Sequence, residues 1–597
     1  MNSLGLGIIG NCAFSALIDD CARVQWMCLP RFDGDPVFHG LLNGDDIAPE
    51  DQDGIFSIVL EDFDHAEQAY AENTAVLKTV LYDRHGQSLE ITDVAPRFPA
   101  RGRMFRPLVL LRRVRPLRGR PRIRVHLRPQ FEYGTARATI THGSNHIRYV
   151  NSGTVLRLTT NAPVTYVLDE KFFFLDQPFS LVLGPDETLT EGVEETARDF
   201  EERTVDYWRT WCRRLAIPYE WQAAVIRAAI TLKLCTFEET GAIVAAMTTS
   251  VPEAENSGRN WDYRYCWLRD AFFVIRALNS LSEMETMENY LRYLTNIVGS
   301  SENGHLQPVY GIGLESRLDE RIVPNLQGYR GQGPVRAGNQ AYEHFQYDVY
   351  GNVILGAAQS FFDSRLFRKG SVDDFHLLEE AGEQAFRLFD QPDAGMWEFR
   401  TMARVHTSSS VMCWAACDRL SLIARQLGVT DRANLWAERA DKIKTVVMER
   451  AWNEDLSSFV TSFEGSDLDA GLLLMTEVGF LKPSHPKFLA TVERIEKTLL
   501  KGKHMFRYAA RDDFGLPETA FNICTFWYID ALARLERFDE AREIFESMLS
   551  CRNHLGLLSE DVHPDTGELW GNFPQTYSMV GVINGAVRLS RRWESVL

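Results

Sequence analysis

The periodicity of apolar residues changes near residue 188 of this 597-residue chain. Before that point, short segments such as "RIRVHLRPQF" (122–131) alternate charged and apolar residues, which is typical of strands with one buried face. Gly, Pro, Asn and Asp turns separate these segments, and no helical pattern lies between them. Many strands at short spacing predict an antiparallel β-sandwich over residues 1–187.

The remainder of the chain has helical periodicity. The charged segment "ETARDFEERTVDYWRTWCRRLAIP" predicts a helix that ends before Pro218 and links two domains, so the linker is assigned to residues 188–218. Residues 219–597 are then a second, all-α domain. About a dozen helices are predicted there, and their starts lie near Tyr219, Trp267, Glu283, Ala341, Asp373, Ser408, Thr430, Asp467, His485, Thr519, Asp539 and Gln575.

The connections between these helices alternate in length. Long ones follow every odd-numbered helix, at about 237–266, 300–340, 391–407, 452–466, 502–518 and 551–574, whereas the others tend to be short. Because helix connections are usually short, six long ones need an explanation. Six antiparallel helix pairs can close into an α/α toroid with all the long loops at one end. We expect the functional residues at that mouth, on loops held by a rigid scaffold.

Composition excludes several classes of function. The net charge of −18 argues against a nucleic-acid or anionic-membrane partner and suits a small neutral substrate. No apolar run reaches the roughly 18–20 residues of a membrane span. The apolar N-terminus lacks a basic region, since the first Arg or Lys is Arg23, so a signal peptide is not expected and the predicted location is cytoplasmic.

The cysteines and glycines do not form known ligand motifs. The ten cysteines include no CxxC pair and no grouping with His, which predicts reduced thiols and no zinc site. Cys413 and Cys417 are interpreted as small buried residues of one helix. The sequence "GLGIIG" (Gly5–Gly10) lacks the preceding strand and following helix of a nucleotide-binding loop, so we do not interpret it as one.

The predicted mouth is rich in carboxylates, Arg, amides, Trp and Tyr, a combination that suits a sugar. The C–H face of a sugar ring stacks on aromatic rings, and its hydroxyls pair with planar polar groups. Hydrolysis of a glycosidic bond needs two carboxyl groups. Structural interpretations stay open for single residues: Asp270 can cap its helix, Glu398 can be a surface acid, and Asp565–Gly567 can be a plain turn.

Six motifs in a fixed order resemble those of glycoside hydrolase family 15, the bacterial glucoamylase and trehalase-like group. They are "NWDYRYCWLRDA", "YGIGLESRLDE", "VRAGNQAYEHFQYDVYG", "GMWEFR", "VMCWAACDRL" and "GLLSEDVHPDTGELWGNFPQTYS". The segment "IIGNCAFSALIDDCARVQWMCLPRFDGDPVFHGLL" is similar to the start of the family's trehalase-like N-terminal domain. The resemblance spans essentially the whole chain and implies a β-sandwich followed by an (α/α)6 barrel.

The resemblance also implies roles for individual residues. Glu398 falls on the family's general acid and Glu560 on its general base. Arg269 and Asp270 fall on the pair that binds the terminal glucose, and Tyr263 on a tyrosine that contacts the base. Aromatic and basic residues expected to complete the substrate site are Trp267, Trp397, Arg507 and Trp570.

The implied reaction is hydrolysis of a terminal α-glucosidic bond with inversion, which needs no metal or other cofactor. Trehalase is favoured, and a glucoamylase-like or isomaltose-type exo-glucosidase is the alternative. A sugar-binding homologue without turnover is a remote alternative. The segment Ser408–Ser410 departs from many relatives, and we expect it to affect the aglycone side. Loop 300–340 is a candidate roof for a closed pocket, and the protein is expected to be a monomer or homodimer.

Overall fold

The computed structural model describes residues 3–44, 51–151 and 153–596. Parts of the predicted domains therefore lie outside the described residues, namely 1–2, 45–50, 152 and 597. The described part of residues 3–187 is built mainly from two antiparallel sheets. One contains Gly7–Gly10, Ser15–Ile18, Val24–Leu29, Asp35–Phe38, Ile55–Leu60, Arg122–Arg128 and Phe173–Phe174. The other contains Phe63–Tyr70, Leu77–Asp83, Ser88–Val94, Leu110–Arg118, Thr139–His142, His146–Asn151, Thr154–Thr160 and Phe179–Pro185.

The two sheets share one apolar core. Alternating burial along a strand shows which of its faces is turned toward that core. In Leu77–Asp83, buried and partly exposed residues alternate strictly, as expected for a strand with one covered face. Phe56 of the first sheet and Leu156 of the second belong to the same buried cluster. Gly7–Gly10, part of the glycine-rich "GLGIIG", is a strand paired with Ser15–Ile18.

One expectation for this region is wrong. A short helix, α1 (Val164–Leu168), interrupts the strands, and it buries Val164 and Val167. Five residues are too few to show helical periodicity in a sequence. Short hairpins also lie beside the sheets, formed by Phe98–Ala100 with Arg103–Phe105 and by Gln130–Phe131 with Ala136–Arg137.

Helices dominate the rest of the described chain, beginning with α2 (Val193–Cys212), which lies within the predicted linker. The others are α3 (Gln222–Leu234), α4 (Leu268–Ser280), α5 (Glu285–Gly299), α6 (Asp348–Phe362), α7 (Val372–Leu388), α8 (Thr407–Gln426), α9 (Thr430–Arg450), α10 (Leu474–Glu477), α11 (Pro486–Leu499), α12 (Asn522–Arg534), α13 (Phe538–Ser550) and α14 (Thr576–Leu589). Single 3-10 turns occur at Gly40–Leu42, Gln340–Glu343, Ala470–Leu473 and Trp593–Ser595.

Small antiparallel strand pairs decorate the loops between the helices. They are Thr236–Phe237 with Ala242–Ile243, Cys266–Trp267 with Val309–Tyr310, Arg321–Val323 with Val335–Ala337, Trp452–Asn453 with Ser458–Phe459, and Leu500–Lys501 with His504–Met505. A three-stranded sheet is formed by Ala520–Phe521, Asp561–Val562 and Leu569–Trp570.

Six elements form a closed ring. α4 contacts α6, α6 contacts α8, α8 contacts the Ala470–Leu473 turn that leads into α10, this turn contacts α12, α12 contacts α14, and α14 contacts α4. α12 and α14 are buried along most of their length, whereas α11 and α13 bury one stripe. A helix apolar on nearly all sides belongs in an interior, and an amphipathic one covers it.

Two predicted helix starts are wrong. The helix expected near Ala341 begins at Asp348, because Asn339 caps a single 3-10 turn at Ala341 and the chain then extends at His344. The helix expected near Asp467 is reduced to the Ala470–Leu473 turn and the single-turn helix α10. Gly479, with φ of +84°, follows α10 and favours its termination. Among the described residues, no helix combines the length and the apolar character that crossing a membrane requires.

Candidate active site

A cavity of about 920 Å³, counted out to its open mouth, lies where the long connections enter the ring. Its lining comes from the segments 235–267, 300–347, 389–406, 500–521 and 551–575, from the adjoining first turns of α4 and α14, and from Trp527 of α12. The connection 451–469, which we expected at the same mouth, contributes no residue to this lining.

Glu398 projects into the cavity from a left-handed backbone conformation, with φ of +61°. Trp267 Nε1 donates a hydrogen bond to Glu398 Oε1 over 2.6 Å, and Arg269 Nη2 lies 3.4 Å from the same oxygen. The Glu398 side chain is 24% exposed. Because both donors hold Oε1, a proton on this carboxyl group belongs on Oε2.

Glu560 is almost fully enclosed, with 1% of the residue exposed. Tyr263 Oη donates to Glu560 Oε1 over 2.7 Å, and the buried Oε2 receives no hydrogen bond from the described part of the protein. Gly571 packs directly against this side chain. A Cβ at Gly571 would lie 2.8 Å from Oε2, and its φ is +76°, so glycine is required there on two grounds.

The pKa of Glu560 is raised well above its ordinary value. Burial is the main cause, and the neighbouring carboxylates of Glu253 and Asp561 add to it. Arg507 and the hydrogen bond from Tyr263 act in the opposite direction. A carboxylate in such surroundings is a stronger base than an exposed glutamate.

Tyr263 and Trp267 connect the two glutamates physically. Their rings pack edge to face with centroids 5.4 Å apart, a favourable aromatic geometry. One donates to Glu560 and the other to Glu398, and both lie on the segment that leads into α4. The two carboxyl groups are thus fixed through a single short piece of backbone.

A charged cluster forms the floor beside Glu398. Arg269 Nη1 donates to Gln346 over 3.1 Å and lies 3.5 Å from Asp348, while Arg269 Nε lies 3.6 Å from Asp270. Burial raises the pKa of Asp270 to about 6, although Arg269 partly opposes this shift. Tyr577 completes the cluster, and its buried hydroxyl makes no hydrogen bond within the described residues.

A second cluster lies behind Glu560. Arg507 Nη2 donates to Glu253 over 2.7 Å and lies 3.3 Å from Asp561, and its guanidinium lies 5.2 Å from the centroid of the Phe521 ring. Arg507 is therefore held by two carboxylates. Its Nε is buried without a hydrogen-bond partner in the described structure.

Eight of the nine site residues predicted from the sequence line this cavity. They are Tyr263, Trp267, Arg269, Asp270, Trp397, Glu398, Arg507 and Glu560. The prediction that Trp570 binds substrate is wrong, because it does not line the cavity and is only 2% exposed. Its strand pairs with Asp561–Val562, and its ring packs edge to face with Tyr329. Trp570 therefore supports the strand that follows Glu560.

The effect of Ser408–Ser410 on the aglycone side stays a prediction. None of the three lines this cavity. Ser409 Oγ donates to Asp393 over 2.7 Å, and Ser410 Oγ donates to the carbonyl of Phe389 over 2.6 Å. These hydroxyls fasten the start of α8 to the loop that carries Glu398.

Several lining residues were not predicted, among them Glu253, Trp261, Asn339, His344 and Tyr577. Trp261 and Tyr577 lie inside motifs that were recognised, so their type and position were available as signals. Glu253 lies in no such motif, and only its contact with Arg507 identifies it.

Comparison with known proteins identifies the family. A family model described as glycosyl hydrolases family 15 matches residues 221–587. The chain belongs to glycosyl hydrolase family 15. A second model, described as trehalase-like, N-terminal, matches residues 5–171. The resemblance inferred from the six motifs is confirmed, and family membership makes the cavity a candidate glycoside hydrolase active site.

Two curated relatives match this chain over nearly its whole length. A trehalase of Thermoplasma volcanium is 32% identical, over 98% of this chain and 93% of the relative. A trehalase of Mycolicibacterium smegmatis is 31% identical, over 98% of this chain and 91% of the relative.

A solved structure has the same fold. A bacterial glucoamylase crystallised with acarbose gives a TM-score of 0.71 at 14% identity, covering 98% of this chain and 93% of that chain. This likeness confirms a sheet-rich N-terminal region followed by a helical region.

Proposed function

We propose that this family 15 protein is an inverting, exo-acting α-glucosidase whose substrate is α,α-trehalose. The observation that carries the reaction type is the pair Glu398 and Glu560, which line one cavity and are each hydrogen-bonded by an aromatic donor of the same segment. Two relatives that match nearly the full chain are named trehalase, and this supports the choice of substrate.

In the proposed mechanism, Glu398 is the general acid. Its Oε2 carries the proton, because Trp267 and Arg269 hold Oε1. The proton passes to the glycosidic oxygen as the bond to the anomeric carbon breaks. The leaving glucose departs with its own anomeric bond intact.

Glu560 is the proposed general base. Tyr263 fixes Oε1, and the unpartnered Oε2 takes a proton from the water that attacks the anomeric carbon from the opposite face. Inversion requires room for this water, which corresponds to carboxyl groups roughly 6.5–9.5 Å apart. Because its pKa is raised, the ionised Glu560 carboxylate takes a proton from water more readily than an exposed glutamate does. The pH must be high enough to keep Glu560 ionised.

The charged floor is the proposed site of the glucosyl unit that is transferred to water. Arg269 and Asp270 present charged groups to ring hydroxyls, and Tyr577 offers a buried hydroxyl without a protein partner. Holding the ring in one orientation lowers the entropic part of the barrier. The proposal requires no metal or other cofactor.

A small disaccharide is favoured over a glucan because loops crowd the mouth. Arg259 forms a bidentate pair with Asp512, and the backbone N–H of Arg400 donates to Asp513 over 2.6 Å. These contacts attach the segment 508–515 to the opposite wall, and Asn339 and His344 of loop 300–347 line another side. A glucoamylase-like or isomaltose-type activity is the second candidate, since it would use the same two glutamates.

We further propose that the two sheets form a β-sandwich and that the ring of helices with its outer layer forms an (α/α)6 barrel. The closed order of contacts from α4 to α14 and the shared core of the sheets support this description. The domain bounds 1–187, 188–218 and 219–597, the cytoplasmic location and the monomer or homodimer state stay predictions.

Glucose release from trehalose, maltose, isomaltose and soluble starch tests the substrate. The proposal expects the highest kcat/KM on trehalose and loss of release in Glu398→Gln. A higher kcat/KM on maltose or starch would assign the second candidate function. Sugar binding measured by calorimetry without any glucose release would show a non-catalytic homologue.

A further inference from the structure

The segment 260–267 presents its side chains in two opposite directions. Trp261, Tyr263 and Trp267 line the cavity, whereas Asp262 and Arg264 are completely buried on the other side. Alternation of this kind is a property of extended backbone. Any contact that fixes Asp262 and Arg264 therefore also sets where the Tyr263 hydroxyl lies.

Arg264 is anchored in the N-terminal sheet region. Its Nε and Nη2 bind the two carboxylate oxygens of Asp262 over 2.8 and 2.7 Å. Nη1 donates to the carbonyl of Gly34 over 2.9 Å, and Nη2 also lies 2.9 Å from Tyr133 Oη. Gly34 and Tyr133 both precede residue 187, so the guanidinium joins the sheets to the segment that holds the two glutamates.

Tyr133 is itself held in an unusual conformation. Glu132 and Tyr133 are consecutive left-handed residues, with φ of +52° and +54°. Asp35 accepts the backbone N–H of both, with the bond from Tyr133 measuring 2.7 Å. Residues other than glycine rarely adopt this backbone conformation unless the surroundings enforce it. Such residues cluster at functional sites.

Asp262 extends the same network to the wall of the cavity. Its Oδ2 accepts from the backbone N–H of Gly338 over 3.2 Å, and its carbonyl accepts from the Asn339 side chain over 3.1 Å. Arg321, from the same loop, lies 5.0 Å from the centroid of the Tyr133 ring. Loop 300–347 and the segment 260–267 thus share one anchor.

We propose that Tyr133 and Arg264 are positioning residues for catalysis, acting through Tyr263 on Glu560, so that the sheet region forms part of the catalytic machinery. This inference rests on the proposed role of Glu560 as base. If Tyr263 is displaced, Glu560 loses a hydrogen bond that stabilises its charged form, and it needs a higher pH to ionise.

Tyr133→Phe tests the proposal because it removes one hydroxyl and leaves the pair Arg264–Asp262 intact. The matched control is Tyr149→Phe, which removes a buried hydroxyl of the same region whose bond is to the Leu127 carbonyl. We expect Tyr133→Phe to lower kcat on trehalose about 10-fold to 100-fold, with a smaller change in KM. The acidic limb of kcat/KM should move to higher pH.

Two further variants separate positioning from general destabilisation. Asp35→Asn loosens the backbone of Tyr133 without touching Arg264, and it should move the acidic limb in the same direction. In a Tyr263→Phe background, Tyr133→Phe should cause no further shift of that limb, because residues that act in series are not additive. Circular dichroism melting of each variant gives the folded fraction at the assay temperature.

The outcomes are distinct. Equal kcat and an unmoved limb in Tyr133→Phe and Tyr149→Phe would overturn the inference while leaving the proposed function in place. A loss of activity that only follows the folded fraction would overturn it as well. A wild-type protein without activity on trehalose, maltose, isomaltose or starch would overturn both proposals.

Discussion

Glu253 is the residue with the largest unexpected influence on the proposed base. Its carboxylate raises the pKa of Glu560, and it also engages Arg507, the cation that lowers this pKa. The Glu253 charge therefore opposes ionisation of Glu560, while its hydrogen bond holds in place the cation that favours ionisation. The balance of charges around one buried oxygen sets the pH at which the site can act.

We expect Glu253→Gln to move the acidic limb of kcat/KM to lower pH. Removing the negative charge lowers the pKa of Glu560, so the base is ionised in more acidic solution. The amide oxygen can still accept from Arg507. A pH profile measured beside the exposed control Glu255→Gln checks this, and a limb that stays in place or moves to higher pH would count against the assignment.

Glu398→Gln should lower kcat on trehalose by about 10²-fold to 10⁴-fold, because the amide cannot donate the catalytic proton. Binding should change little, since Gln can still accept the bond from Trp267. Steady-state kinetics combined with calorimetric binding of trehalose would separate the two effects. A variant with near-normal kcat would remove Glu398 from the role of acid.

At the scale of elements, the loop 389–406 is shaped by a buried acid. Asp393 accepts from the backbone N–H of Tyr347 over 2.8 Å and from Ser409 over 2.7 Å, and it is 2% exposed. Burial raises its pKa to about 7. Asp393 thus ties the loop of Glu398 to the starts of α6 and α8.

We expect the stability of Asp393→Asn to fall less steeply with rising pH than the stability of the wild-type protein. Between about pH 4 and 7 the folded protein keeps a proton on Asp393 that the unfolded chain has released. In this range the group therefore lowers the free energy of unfolding by up to about 1.4 kcal/mol for each unit that the pH rises. Asn removes this dependence. The difference in Tm between variant and wild type should therefore be more favourable at pH 8 than at pH 5.

The exposed turn acid Asp565 provides the control for this measurement, because Asp565→Asn makes the same chemical change outside the contacts of Asp393. A difference in Tm for Asp393→Asn that is the same at pH 5 and pH 8 would show that Asp393 does not titrate in this window.

Predictability from sequence depended on the length and regularity of each element. Long amphipathic helices such as α9 and α11 start within one residue of the predicted positions, because their apolar stripes repeat over several turns. α10 and the 3-10 turn at Gln340–Glu343 were misjudged because one turn carries too little pattern. Glu560 was found through a motif, whereas the closeness of Glu253 depends on tertiary packing.

At the scale of the whole molecule, the two regions are joined at the candidate site. The periodicity change predicted a sheet-rich part and a helical part, and both are confirmed. It gave no sign that Tyr133 reaches the segment carrying Tyr263, because this contact joins residues 131 positions apart. Such contacts follow from the way the two regions pack.

The stereochemistry of trehalose cleavage tests the central claim most directly. Inversion by Glu398 and Glu560 converts the attacked unit to β-glucose, while the leaving unit keeps its bond and emerges as α-glucose. Proton NMR of the first products, recorded before mutarotation, should show α- and β-glucose forming in equal amounts. Initial formation of α-glucose alone would mean retention and would contradict the account.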